Sequence, residues 1–249
     1  MIRGFILALQ FLTIIPFSKR KDSPAAFATG MIFFPIAGLI LGAIMLFAYN
    51  LFLQIGIGPF LSSALLVILL IILTGGLHLD GLGDTVDALY GGVDKADRLR
   101  IMREPHIGTM GTLSIVSIVC LKIALLYELS AHGIGSMLLF MGMLSRYGLA
   151  LAIFLFPYAR KEGKAKLFFY GASKKIFFPT AVITLICSML ILGLKGLVLF
   201  VLLCGFVWIA GRIISKKIGG LTGDNLGAIC EISEVFILLV YLMIQGGQL

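Results

Sequence analysis

The sequence predicts an all-α fold, a polytopic integral membrane helical bundle of about seven or eight transmembrane segments. Three observations predict it. Sixty per cent of the 249 residues are apolar, and mean hydropathy is +1.10. Only 13% are charged, against about a quarter in a soluble domain. Apolar runs of spanning length recur along the whole chain, separated by short polar breaks. This pattern excludes a disordered chain and argues against a soluble enzyme. It leaves no window for a separate soluble domain, so residues 1–249 read as one membrane-embedded unit.

The elements follow in order. Residues 5–17 form a short apolar run closed by Pro16, compatible with a short span, a re-entrant piece or an interfacial helix. The opening MIRGFILALQFLTIIPFSKRK has no small-residue cleavage site, and we expect it to be retained. Spans are expected near 27–53, 60–79, 107–129, 133–157, 176–194, 196–214 and 234–249. No internal repeat or low-complexity tract interrupts them. The four cysteines (Cys120, Cys187, Cys204, Cys230) make no CxxC pair, and we read them as small buried hydrophobes.

Charge sorts the loops. Sixteen of the 20 Lys and Arg residues fall in one alternate set: Lys19–Lys21, Lys95–Arg103, Arg160–Lys175 and Arg212–Lys217. The opposite loops hold only Lys195, plus Arg3 if 5–17 spans. By the positive-inside rule the basic set faces the cytoplasm, which predicts a multi-pass protein of the cytoplasmic (inner) membrane. The net charge of +8 is therefore a matter of topology. The expected partner is the lipid bilayer, not nucleic acid. Eleven of the 12 acids belong to the same set, all but Glu128, and they gather mainly in two Gly-rich segments.

The first segment, residues 75–92, reads GGLHLDGLGDTVDALYGG. Asp80, Asp84 and Asp87 are four and three apart, one face of a helix. Carboxylates so placed repel unless a cation sits among them, and a hard divalent ion with oxygen ligands is the natural one. His78 stands two residues ahead. Gly75, Gly76, Gly81, Gly83, Gly91 and Gly92 would let the backbone approach a bulky anion. Arg98, Arg100 and Arg103 come next, suited to holding phosphate oxygens, though the positive-inside bias explains them equally well. Gly108 and Gly111 open the next span and would allow close helix packing.

The second segment, residues 219–234, reads GGLTGDNLGAICEISE. Asp224 and Glu231 are seven apart, again on one helical face, with Glu234 three further on. Thr222, Gly223 and Asn225 are turn and cap types. Both acidic segments lie on the same side by the charge count, so they can meet at one site and hold one or two metal ions against a polyphosphate. Two cations lie inside apolar runs. Arg146, near the middle of its span, costs about 3 kcal/mol or more to insert and should face the bundle interior, against an acidic or phosphate partner. Lys122 should snorkel outward or pair with Glu128.

On these residues the chain resembles the cobalamin synthases, the adenosylcobinamide-GDP ribazoletransferases, over nearly its full length. The likeness rests on ALQFLTIIPF at 8–17, FFPIAGLILG at 33–42, GGLHLDGLGDTVDALYGG at 75–92 and RLRIMREPHIGTMG at 98–111. Lys122, Arg146 and GGLTGDNLGAICEISE at 219–234 complete it. Glu104 departs from it, because the family usually carries Asp there. The resemblance implies adenosylcobinamide-GDP as donor, α-ribazole or its 5′-phosphate as acceptor, and Mg²⁺ as cofactor. It leaves self-association into a homo-oligomer open. On this reading Asp80, Asp84, Asp87, Asp224 and Glu231 are the expected metal ligands. Gly81, Thr222, Asn225 and Glu234 are expected to line the bound substrate. His78, Asp84, Arg98, Arg103 and Arg146 are the expected catalytic groups, with His78 as proton acceptor because it can be neutral near pH 7.

Other classes fit less well. A CDP-alcohol phosphotransferase expects an AR pair after the DG at Asp80–Gly81, and none follows. A UbiA-like prenyltransferase expects two DxxxD-type loops, which Asp224 and Glu231 do not form. A transporter would place its ionisable groups at the midplane, where Arg146 stands without a companion.

Overall fold

The computed structural model describes residues 1–15, 24–131, 133–163 and 165–245. Pro16, Lys19, Arg20, Lys21 and Lys164, which entered the sequence reading, lie outside them. Among the described residues, twelve α-helices follow one another: α1 Ile2–Leu12, α2 Pro24–Gly30, α3 Phe34–Gln54, α4 Pro59–Thr74, α5 Leu77–Gly91, α6 Lys95–Ile101, α7 Thr109–Ser130, α8 Gly135–Leu155, α9 Lys166–Gly171, α10 Lys174–Leu192, α11 Leu194–Ile218 and α12 Gly223–Gln245. Among the described residues, the β structure is one isolated bridge between Tyr158 and Leu221.

Among the described residues, six helices are long and apolar enough to cross a membrane, or seven when α4 and α5 count as one broken span. The all-α membrane bundle is thus as expected, and three placements are refined, one that the sequence left open and two that are corrected. The first concerns α1. Its 11 residues are about 16 Å long, too short for a hydrocarbon core of about 30 Å. It packs against α2 and the start of α3, and the Ile14 amide beyond it donates to Leu73 O at the end of α4 (2.9 Å). That leaves it as a helix lying at one end of the bundle. The second concerns the run expected at 60–79. It breaks at Gly75 and Gly76, which adopt φ of +64° and +67°, a conformation that suits glycine. The chain turns there by 89°, so α5 lies across the bundle end instead of continuing α4. The third concerns α12, expected to begin at 234. It begins at Gly223 and carries Asp224, Glu231 and Glu234 within one 23-residue helix. Glu231 and Glu234 therefore sit inside the bundle, not in a loop.

The packing order follows burial. Helix α8 is buried along nearly all its length, and α12 on most of its face. These two form the centre. Helix α3 crosses α8 at close range: a Cβ on Gly38 would strike the Gly142 carbonyl, and one on Gly42 the Leu138 carbonyl. Small residues here let two backbones touch, as in other membrane helix pairs. Helices α7, α10 and α11 lie outside. They expose Leu113, Val116, Phe178, Val182, Ile186, Leu190, Val201 and Trp208, an apolar surface that water would not tolerate but lipid would. The cysteine reading is corrected for three of four, because only Cys230 is buried and Cys120 is exposed on this outer surface.

The two ends of the bundle differ. At one, Lys195 Nζ donates to Gln245 Oε1 (2.7 Å) and Phe60 meets Tyr127 edge-on. At the other, the basic segments after α5, α8 and α11 are tied together. Ala159 N donates to Leu221 O and Leu221 N to Pro157 O, both at 2.8 Å. Helix α6 carries Asp94 as its N-cap, accepting from Asp97 N (2.8 Å). The Asp97 carboxyl is held below its usual range by Arg100 and by the Val93 amide.

Candidate active site

The site is built where α5 crosses α12. Gly81 and Gly227 permit the crossing. A Cβ on Gly81 would lie 2.6 Å from Asp224 O, and one on Gly227 would lie 2.9 Å from His78 O. Gly81 is thus a packing residue; a substrate cannot reach a position filled by the α12 backbone. The close approach brings Asp80 and Asp84 of the first acidic segment into electrostatic contact with Asp224 of the second. Arg160, from the segment after α8, lies among them and donates from Nη2 to Asp224 Oδ2 (2.8 Å). Asp84 and Asp224 both lie within electrostatic reach of this guanidinium, and Asp80 lies within reach of both acids.

Beside them is a cavity of about 410 Å³, within the size range of small-molecule sites. His78, Tyr158, Arg160 and Asp224 supply its polar wall, and Phe11, Leu149 and Leu226 its apolar wall. The buried His78 Nδ1 has no hydrogen-bond partner within the protein. Burial raises the Tyr158 phenol above its usual range, with the Arg160 charge opposing.

Several expected site residues have other partners. Asp87 turns to α7, where its two oxygens accept from Gly108 N (2.6 Å) and Gly111 N (2.7 Å). It caps the exposed amides of a helix start, and the glycines there make room for its carboxylate. Thr222 and Asn225 are fully buried. Asn225 Oδ1 accepts from Thr222 N (2.8 Å), and its Nδ2 donates to Thr85 Oγ1 of α5 (3.0 Å), so this pair caps α12 and ties it to α5. Neither is open to a substrate. Arg98 braces α6 against the end of α11, its Nη1 donating to Lys217 O (3.5 Å). Arg103 is exposed, and lines a second, basic groove. Glu104 pairs with Arg100 on the surface.

Deeper in the bundle lies a closed ionic network. Lys122 Nζ donates to Glu231 Oε2 (2.6 Å) and also to Glu234. Arg146 Nη1 donates to Glu234 and to Ser145 Oγ (2.9 Å). All four charged side chains are buried. Arg146 therefore faces inward to an acidic partner, as expected, but it does not line the cavity. Lys122 neither snorkels nor pairs with Glu128. Glu231 and Glu234 are engaged by cations, which removes Glu231 from the expected metal shell and Glu234 from the expected substrate wall. His78 stands between the two groups, on the cavity wall and within electrostatic reach of Arg146, Glu234 and Lys122.

Sequence reasoning did not single out Arg160 or Tyr158. Arg160 is one of many loop cations, and its only signal is being the first after the apolar run of α8.

Comparison with known proteins shows the family. The sequence model described as cobalamin-5-phosphate synthase matches residues 4–242. A protein of Alkaliphilus metalliredigens named adenosylcobinamide-GDP ribazoletransferase is 37% identical over 246 residues, covering 98% of this chain and 97% of its own. Proteins of the same name from Desulfitobacterium hafniense and Acinetobacter baumannii are each 35% identical, covering 95% and 96% of both chains respectively. No solved structure matches the chain. The match spans both acidic segments and every helix of the bundle, and so the chain belongs to the cobalamin-5-phosphate synthase family, membrane-embedded transferases of cobalamin biosynthesis.

Proposed function

We propose that the protein transfers the adenosylcobinamide phosphate group of adenosylcobinamide-GDP to α-ribazole or its 5′-phosphate and releases GMP. The observation that carries this reading is the approach of Asp80 and Asp84 to Asp224, which bonds Arg160 on the wall of the 410 Å³ cavity. Three carboxylates against one arginine leave an excess of negative charge, yet the expected substrate is a diphosphate. A divalent cation reconciles the two.

Among the described residues, no three His, Cys, Asp or Glu side chains are placed to share one ion. Magnesium does not need three. It takes one or two carboxylates and completes its shell with water and phosphate oxygens. The all-oxygen donor set of Asp80, Asp84 and Asp224 fits it. Magnesium bound there supplies charge neutralisation on the diphosphate and on the departing GMP.

The protein's own groups do the rest. A hydroxyl of the acceptor attacks the phosphorus nearer the corrinoid, forming one P–O bond as the phosphoanhydride bond to GMP breaks. The unpartnered Nδ1 of His78 accepts the hydroxyl proton. Arg160 steadies the charge on phosphate oxygens, the role the sequence had suggested for Arg98, Arg103 and Arg146. The apolar wall and the surrounding lipid take the corrinoid. The basic loops face the cytoplasm, where a nucleotide-linked donor would be available.

The test is GMP release by purified protein in lipid nanodiscs given donor, acceptor and Mg²⁺. Release that requires all three supports the reading, whereas none under any metal would end it. Replacing His78 by Ala should lower kcat and abolish the acidic limb of the rate profile. An unchanged profile excludes His78 as the proton acceptor.

A further inference from the structure

A second concavity shares Arg160 with the first. It has a volume of about 680 Å³ and lies between α6 and residues 159–162. Its charged lining is Lys95, Arg100, Arg103, Arg160, Lys161 and Glu162. Arg100 is answered by Asp97 and Glu104. Lys95, Arg103 and Lys161 make no ion pair among the described residues. Arg160 belongs to both concavities: its guanidinium bonds Asp224 on one side and the Met102 carbonyl (3.4 Å) on the other, and its Nε is buried without a partner.

The two concavities suit phosphate in opposite ways. In the first, whose wall carries Asp224 with Asp80 and Asp84 in electrostatic reach behind it, a bare phosphate is repelled and needs a metal. In the groove, cations outnumber acids and a phosphate binds directly to guanidinium and ammonium groups. The positive-inside bias explains why the loops are basic. It does not require three unpaired cations to converge on one concavity that shares a wall with the reaction site. The family description names a 5-phosphate product. One reactant must therefore bring a phosphate that does not react.

We propose that this groove is a metal-free phosphate subsite. It holds the 5′-phosphate of a phosphorylated acceptor while the acceptor hydroxyl reaches past Arg160 to the donor. The proposal rests on the reaction given above.

Binding and turnover separate the two ideas. Equilibrium binding of α-ribazole 5′-phosphate and of α-ribazole to the full-length protein in nanodiscs should differ about tenfold or more in favour of the phosphate, the usual scale for a charge-assisted contact. In R103Q/K161Q the preference should fall to near one. Arg103 and Lys161 are both exposed, so loss of the fold is not expected, and Lys161→Gln alone should give an intermediate preference. Equal binding of the two acceptors by the unaltered protein overturns the subsite. So does a double variant that keeps the preference or weakens both ligands alike. GMP release with equal KM for the two acceptors also overturns it, while leaving the reaction standing. A phosphate preference without any GMP release would instead keep the subsite and remove the reaction.

Discussion

Helices α5, α7, α8 and α12 support two ionic groups that are built on opposite terms. In the deep group, two cations (Lys122, Arg146) meet two carboxylates (Glu231, Glu234), and every one of these side chains is buried. In the outer group, Asp80, Asp84 and Asp224 lie within electrostatic reach of one another, Arg160 bonds Asp224, and all three acids are at least partly open. The deep group balances its charges, whereas the outer group holds more acids than cations. Charge balance, more than the presence of acids, therefore separates the structural ionic cluster from the proposed metal site in this bundle. A buried ion pair gives little net stability over an apolar pair, but losing one partner is severe because the other is left uncompensated.

That difference predicts opposite responses to similar substitutions. Glu234→Ala has the largest expected effect. It strips a partner from both Lys122 and Arg146 and should cost about 3–5 kcal/mol, read as a lower Tm in detergent or as loss of folded protein. A variant with unchanged Tm would mean that the deep group is not the anchor described. Asp84→Asn should do the reverse. It relieves repulsion among the outer acids, so Tm should hold or rise, while turnover falls on the order of 10²–10³-fold. Near-normal turnover at ordinary Mg²⁺ would remove Asp84 from the proposed metal shell. Between these falls Gly81→Ala, whose new Cβ would press on the α12 backbone at Asp224. Overpacking of this kind costs about 1–3 kcal/mol. It should also shift the outer acids, lowering turnover more than it lowers Tm. A variant that loses Tm but keeps kcat would show that the crossing does not position the site.

Much of this comparison was legible in the sequence, and the part that was not has a physical reason. Hydropathy located the spans because burial in lipid demands unbroken apolar length. The convergence of residues near 80–84 with 224 was legible from loop sidedness. Arg146 had to face inward because nothing else could compensate it. What hydropathy blurs is where a helix begins when its first turns carry charge, so α12 was expected 11 residues too late. The partners of Lys122 were hidden for another reason. Glu231 and Glu234 lie more than 100 residues away, and pairing across helices depends on rotation and register that one sequence does not encode locally. Asp87 matched the metal-ligand spacing of Asp80 and Asp84, yet its carboxylate turns to the open end of α7. Spacing places a residue on a helix face, and the neighbouring helix then decides what it does there. Arg160 was concealed by its company, a correct cation among many that topology alone requires.

The smallest effect probes the seam between the two groups. Asn225 sits on α12 one residue after Asp224 and six before Glu231, and it alone bonds the Thr222 amide at the helix start and the Thr85 hydroxyl of α5. Asn225→Ala leaves a buried amide and a buried hydroxyl unsatisfied, a loss of about 1–3 kcal/mol. It removes no charge from either ionic group. Its effect on turnover should therefore travel only through the position of α12 against α5, giving a modest drop in kcat with the acceptor KM unchanged. Asn225→Asp preserves an acceptor for the Thr222 amide, and the Thr85 hydroxyl can donate to it, so it should recover most of the Tm. If it does so without recovering kcat, the added carboxylate beside Asp224 has disturbed the outer group. The seam would then carry electrostatic information as well as geometry.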